Sequence, residues 1–206
     1  GVSAAGEHLK WIYHAGLYSS GRANKEFGEF NGSIFTLAVI GYDFGEALDM
    51  EEAVLTGNYV FQNPDVNNTF TRQLHHTVSA NLQLEDERWG LRTDFTAASG
   101  YLSQSDLWGT MVMPFYNITK NLQAVGRHTF VKSENPNGVQ PATYENRIVS
   151  SRGDRYNEFY LGANYYFYGH KLKVQSGVQF ADMDDRAGDG GAYNGVSWVT
   201  GLRASW

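Results

Sequence analysis

Apolar and polar residues alternate along most of the 206-residue chain, and the alternation is clearest at its C-terminal end. Counting back from the terminus, Trp206, Ala204, Leu202, Thr200, Trp198 and Val196 fall on one side of an extended segment. Ser205, Arg203, Gly201, Val199 and Ser197 fall on the other. A period of two belongs to the β-strand, whose successive side chains point to opposite faces. The segment before it repeats the pattern, with Leu172, Val174, Ser176, Val178 and Phe180 opposed to Lys171, Lys173, Gln175 and Gln179. In the segment before that, Phe159, Leu161, Ala163, Tyr165 and Phe167 oppose Glu158, Tyr160, Asn164, Tyr166 and Tyr168. Read this way, the chain predicts about ten strands, at 8–18, 33–43, 53–62, 76–85, 89–98, 106–116, 121–132, 156–168, 170–182 and 194–206. Each has about ten residues, the length of a tilted strand that crosses a bilayer. No segment carries a convincing amphipathic helix.

The connections sort by length. Short ones stand at 85–88, 117–121 and 169–170, with a longer turn at 43–52; long ones stand at 19–32, 63–75, 99–105, 133–155 and 183–193. Alternation of tight turns with long loops is the habit of outer-membrane barrels, with turns in the periplasm and loops outside. Loop composition agrees: 182–195 is acidic and Gly-rich, and 132–156 carries strong turn signals. Tyr116, Tyr165, Tyr166 and Tyr168 flank short turns, where an interfacial aromatic girdle is expected. The expected fold is therefore all-β, an antiparallel transmembrane β-barrel occupying 1–206 as a single barrel domain or as the C-terminal part of one.

Composition narrows the choice further. Aromatic residues make up 15% of the chain and glycine contributes 23 residues, a mixture that suits pleated, half-buried surfaces. The absence of cysteine removes disulfide frameworks, thiolate metal sites and cysteine nucleophiles. A net charge of −6 argues against a nucleic-acid binder. The opening GVSAAGEHL has neither the basic nor the apolar region of a secretory signal. Ile34 to Ile40, the longest apolar stretch, is far shorter than a membrane helix requires.

The stretch NEFYLGANYYFYGHKLKVQ (157–175) and the terminal GVSWVTGLRASW (195–206) resemble porins related to the phosphate-selective porins O and P. WGLRTDFTAASG (89–100) and LQAVGRHTFV (122–131) resemble inner strands of the same family. The resemblance implies a barrel of about sixteen strands, typically trimeric, of which this chain supplies the C-terminal portion. It also implies that the inward-folded constriction loop belongs to the N-terminal portion. The terminal aromatic strand, with Trp206, Ala204, Leu202 and Trp198, looks like the signal read by the barrel assembly machinery. No position matches an anion-site motif of the family.

Alternation assigns Lys10, Arg92, Arg127, Lys171, Lys173 and Arg203 to the lumen together with the acids Glu85, Asp94 and Glu158, so the lumen is expected to be net positive. A positive lining concentrates anions such as phosphate; the alternative is that these charges pair between neighbouring strands. Lys171, beside a turn, can instead snorkel to headgroups. Trp198, Leu202, Phe167, Leu161, Val174 and Phe180 are expected to face lipid. The adjacent His75 and His76 should point to opposite faces, and no zinc-binding spacing occurs. Asp182, Asp184, Asp185 and Asp189 could hold calcium. Ser150, Ser151 and Asp154 with His128 are the nearest thing to a hydrolase set, without a GxSxG elbow. The leading expectation is an outer-membrane porin passing small hydrophilic or anionic solutes, with no catalysis and no cofactor. Its partners would be outer-membrane lipid and lipopolysaccharide, the assembly machinery and two further copies in a homotrimer. A plugged barrel that anchors a partner complex is the second reading, and an outer-membrane enzyme the third. A soluble sandwich or lipocalin-like binder shares the alternation and differs in which face is apolar.

Overall fold

The computed structural model describes residues 1–19, 34–64, 73–141, 144–169 and 171–205. They form one all-antiparallel sheet of eleven strands in sequential order. The strands are β1 (Val2–His8), β2 (Trp11–Ser19), β3 (Ile34–Asp43), β4 (Glu52–Gln62), β5 (Leu74–Glu85) and β6 (Trp89–Gly100), followed by β7 (Leu107–Asn117), β8 (Leu122–Ser133), β9 (Arg155–Tyr168), β10 (Leu172–Asp184) and β11 (Tyr193–Ala204). The sheet is open, with β1 and β11 as its edges. A four-residue helix, α1 (Gly45–Leu48), and a 3-10 turn at Glu145–Arg147 are the helical pieces among the described residues, and neither is long enough to cross a membrane.

All ten expected strands are present, and β1 is additional. The segment expected at 8–18 is a hairpin whose first strand ends at His8 and whose second begins at Trp11. Its two-residue turn is Leu9-Lys10, with Leu9 at φ 56°. Hairpin turns of this length favour Asn or Gly because L side chains resist positive φ, so Leu-Lys gives no turn signal. In a sequential antiparallel sheet, connections alternate between two ends. The end holding 9–10, 86–88, 118–121 and 169–171 has the tight turns. The exception to the length rule is 44–51, longer than 101–106 at the opposite end because it winds into α1, closed by Asp49 in the left-handed region. Residues 20–32 of the first expected loop and 65–72 of the second lie outside the described residues, as do His170 and the terminal Trp206.

Curvature distinguishes the faces. A cavity of about 1180 Å³ is lined together by Glu85, Arg92, Phe115, Arg127, Tyr160, Lys173 and Val199, which come from seven consecutive strands. That face is therefore concave. Strand register then assigns the opposite set to the convex face: Trp11 and Tyr13 on β2, Leu55 and Tyr59 on β4, Phe95 on β6, and Leu161, Phe167, Phe180, Trp198 and Leu202 on β9 to β11. These side chains are exposed, Trp198 at 74%, Leu202 at 70% and Leu161 at 65%. Val174 lies on the same face, half-buried.

Glycines let aromatic rings lie flat on the concave wall. Gly90 pairs with Phe115 across strands, and the Phe115 ring occupies the space a Gly90 side chain would fill. Tyr160 lies in the same way over Gly162 of its own strand and Gly177 of β10. A β-carbon on Gly177 would come within 2.5 Å of Tyr160 Cζ, whereas one on Gly201 of the neighbouring strand would meet nothing within 4 Å. Substituting Gly177 by Val should therefore cost about 1–3 kcal/mol by overpacking, while Gly201→Val should stay within about 0.5 kcal/mol. Urea midpoints of the two variants check the difference.

Candidate functional site

The concave face is lined by hydrogen-bonded polar side chains. Across β4 to β6, Asn58 donates to Ser79 Oγ at 3.1 Å and to Asn81 at 2.5 Å, Asn81 donates to Asp94, and Thr96 donates to Asp94 at 2.7 Å. Across β7 to β10, Gln123 donates to Asn117 at 3.0 Å, accepts from Asn164 at 2.8 Å and from Tyr166 at 3.0 Å, and Gln175 donates to Asn164 at 2.9 Å. Tyr166, expected in the aromatic girdle, thus belongs to this polar wall. The ladder satisfies polar groups strand by strand.

Three rings of this wall carry cations, and two of them, Phe115 and Tyr160, are the ones that rest on glycines. Arg92 lies over Phe115 at 5.8 Å, Arg127 over Tyr160 at 5.4 Å, and Lys173 over Tyr166 at 5.6 Å. Two of these cations also have carboxylates: Arg127 binds Glu158 Oε1 at 2.6 Å, and Arg92 stands 3.6 Å from Glu85. Lys173 and Arg203 differ. They are direct cross-strand partners on one face, and among the described residues neither has a carboxylate within 4.0 Å. Like charges directly opposite in a sheet repel, so this pair is relieved by water or by an anion.

Two expected lumen residues lie elsewhere. Lys10 sits in the β1–β2 turn, 2.7 Å from Glu46, a contact that raises the Lys10 pKa and lowers that of Glu46. Lys171 sits in the β9–β10 turn, near the Tyr168 ring. Nor is the concave face uniformly basic. Register adds Glu7, Asp43 and Glu52 to Glu85, Asp94 and Glu158, and Glu52 directly faces Glu85. The expected net positive lining is thus replaced by segregation, with acids concentrated on β1 to β5 and the unpaired cations on β10 and β11.

The β8–β9 connection (134–141 and 144–154) folds onto this wall. Val139 and Val149 of the connection pack with Tyr156, Ala181 and Met183 of the strands into the one buried apolar cluster among the described residues. Below it, Glu145 accepts a hydrogen bond from Gln179 Nε2 at 2.7 Å. Gln179 also donates to the Tyr156 hydroxyl at 3.4 Å, and Tyr156 donates to Glu158 Oε2 at 2.9 Å. Glu145 is 2% exposed, and among the described residues its Oε2 has no hydrogen-bond partner. The connection is tied at its top to neighbouring loops: Gln104 donates to the Gly138 carbonyl at 2.9 Å, Arg152 to Gln104 at 3.1 Å, and Asn137 to Asp189 at 2.7 Å. The turn-rich composition of this segment gives no sign of its inward course.

The remaining candidates disperse. His75 and His76 do not point apart, because a β-bulge between Leu74 and His76 brings their rings to 4.0 Å beside Phe61. His128 faces outward, bonded to Asn157 at 2.7 Å and stacked on Phe159. Asp154 is buried and accepts backbone N–H groups of Asn137 and Arg186, and Ser150 donates to the Gly190 carbonyl at 3.4 Å, so the set Ser150, Ser151, Asp154 and His128 does not assemble. Asp182 binds Asn194, Asp184 binds Arg155, and Asp189 binds Asn137; among the described residues no three acids or histidines converge on a metal position. Neither a protein-family model nor any curated protein or solved structure matches the chain.

Asp185 holds the β10–β11 loop closed. Partial desolvation raises its pKa, but the backbone N–H groups of Gly191, Gly190 and Gly188 outweigh this and bring it below the ordinary carboxylate value. A lowered folded pKa means that the stabilisation is present above the unfolded value of about 3.9 and is lost as pH falls through the folded one. Amide hydrogen exchange of Gly188 to Gly191 should therefore be slower in the wild type than in Asp185→Ala at pH 6, and the gap should close as pH falls through the lowered folded value.

Proposed function

We propose that this chain forms the wall of an outer-membrane porin that lets small hydrophilic solutes diffuse passively, with a local preference for anions such as phosphate at Lys173 and Arg203. The observation that carries the reading is the polarity of the curved sheet: large apolar side chains exposed on the convex side, a hydrogen-bonded polar wall on the concave side. A soluble β-sandwich or lipocalin-like fold needs the reverse, because water is then outside. Aromatic residues supply belts at both ends of the convex face, with Trp11 against Tyr42 and Trp89 opposite Tyr116 at the tight-turn end, and Trp108 beside Phe130 at the loop end. Such belts match the two interfaces of a bilayer. On this reading the edges of β1 and β11 do not face hydrocarbon unpaired, since unsatisfied backbone groups are costly there. The resemblance to porins related to the phosphate-selective porins O and P is consistent with this placement.

Leu161 tests the membrane. It lies at mid-height on the convex face between Gly126 and Val178. In lipid, Leu161→Lys should cost about 2–4 kcal/mol; in a soluble protein an exposed change of this kind stays within about 0.5 kcal/mol. Denaturant unfolding from vesicles separates the two.

Lys173 and Arg203 test selectivity. Neutralising both as Lys173→Gln with Arg203→Gln should move the reversal potential in a salt gradient toward cation preference, while single-channel conductance persists. An unchanged reversal potential would remove the anion preference and leave a general diffusion pore. The inward β8–β9 connection favours a second reading, a plugged barrel serving as an anchor, for which the wild type would conduct nothing in planar bilayers.

A further inference from the structure

We infer that the β8–β9 connection is the constriction of this pore and that Glu145 both latches it to the wall and sets the charge at the narrowing; the inference rests on the pore reading above. Gln179 stands five residues below Asp184, the loop-end residue of β10. At about 3.3 Å per residue, Glu145 therefore reaches roughly 16 Å down the wall from the strand end. A segment that only covered the mouth would not meet the wall at that depth.

The contact is also dry. Glu145 is 2% exposed, Glu158 5%, Tyr156 7% and Gln179 8%, although Tyr156, Glu158 and Gln179 all belong to the concave wall. Water has been displaced from that stretch by the connection itself. What replaces it is one direct hydrogen bond, Gln179 to Glu145 Oε1, above which Val139 and Val149 bury against Ala181 and Met183.

Electrostatics gives Glu145 its second role. Arg127 is neutralised by Glu158 at 2.6 Å, and Tyr156 donates to the other oxygen of Glu158. Glu145 therefore adds a carboxylate to a group whose charges already balance, and among the described residues its Oε2 has no hydrogen-bond partner. An uncompensated negative charge beside a narrowing disfavours anions there and admits cations. The constriction thus opposes the unpaired Lys173 and Arg203 nearer the tight turns.

Three substitutions separate latch from charge. Glu145→Gln keeps an oxygen to accept from Gln179 and removes the charge. It should leave conductance near the wild-type value and shift the reversal potential toward anions. Glu145→Ala removes the acceptor, and Gln179→Ala removes the donor from the wall side. Each should raise single-channel conductance by at least about one and a half times as the lumen widens. The chain contains no cysteine, so a thiol-reactive bridge between Val139→Cys and Ala181→Cys can be placed cleanly. In the Glu145→Ala background this bridge should return conductance to the wild-type level. If the wild type conducts and both alanine variants match it, the connection is not the constriction and the pore reading survives. If folded wild type and every variant are silent, the pore reading fails as well. A silent wild type that Glu145→Ala opens would support the latch in its fullest form.

Discussion

Period-two alternation in a curved antiparallel sheet is the constraint on which this structure depends. A strand shown to water on one side and to an apolar medium on the other must keep its register over its whole length, because a slip of one residue exchanges the two faces. Here the register is continuous through ten pairings, with irregularities confined to the ends of β5 and β10. The consequence is an apolar exterior that has no protein partner. Withdrawing a side chain such as Leu202 or Trp198 from water is worth about 1.5–3 kcal/mol, and only an external apolar phase or another chain can supply that gain. The internal core is small by comparison, seven buried apolar side chains among the described residues, four of them in one cluster, so on the proposed reading much of the stability is drawn from the surroundings.

The concave side meets a different requirement. It has to stay polar while remaining ordered enough to hold charges in place. Glycine makes this possible by letting Phe115 and Tyr160 lie flat against the backbone, where they form shelves for Arg92 and Arg127. Cross-strand amides such as Asn164 and Gln175 then close the ladder without offering an apolar surface. Carboxylates neutralise the two shelved arginines, so the wall's free positive charge moves to Lys173 and Arg203.

Much of this was legible in the sequence because alternation is a local property. The convex placement of Leu161, Phe167, Val174, Phe180, Trp198 and Leu202 follows from counting, as does the concave placement of Arg92, Arg127, Lys173 and Arg203. What the alternation could not say was which face is inside, since that depends on the curvature of the assembled sheet. The misses share a cause. The Leu9-Lys10 turn, the bulge that brings His75 onto His76, and the inward course to Glu145 are departures from regular strand geometry, and none has a residue signature of its own. Glu7, Asp43 and Glu52 were passed over because they stand in or beside short or poorly patterned strand ends, where parity is hard to assign. That omission is what made the lining look net positive.

In the proposed pore, segregation of charge and the inward connection together would order the events along the lumen. A solute entering from the loop end first passes the cluster of Arg127, Glu158 and Glu145, where the arginine is already paired. It reaches Lys173 and Arg203 after about six more residues of strand, roughly 20 Å further, and the cavity that Lys173 lines also holds Glu51, Glu85 and Glu87. Opposite walls of opposite sign orient a dipolar solute without holding it, because each attraction is matched by a repulsion nearby. A binding site strong enough to trap an anion would slow its release, and passage requires that the solute leave as readily as it enters. Two unpaired cations facing an acidic arc, and not a closed ring of cations, is the arrangement that satisfies both demands.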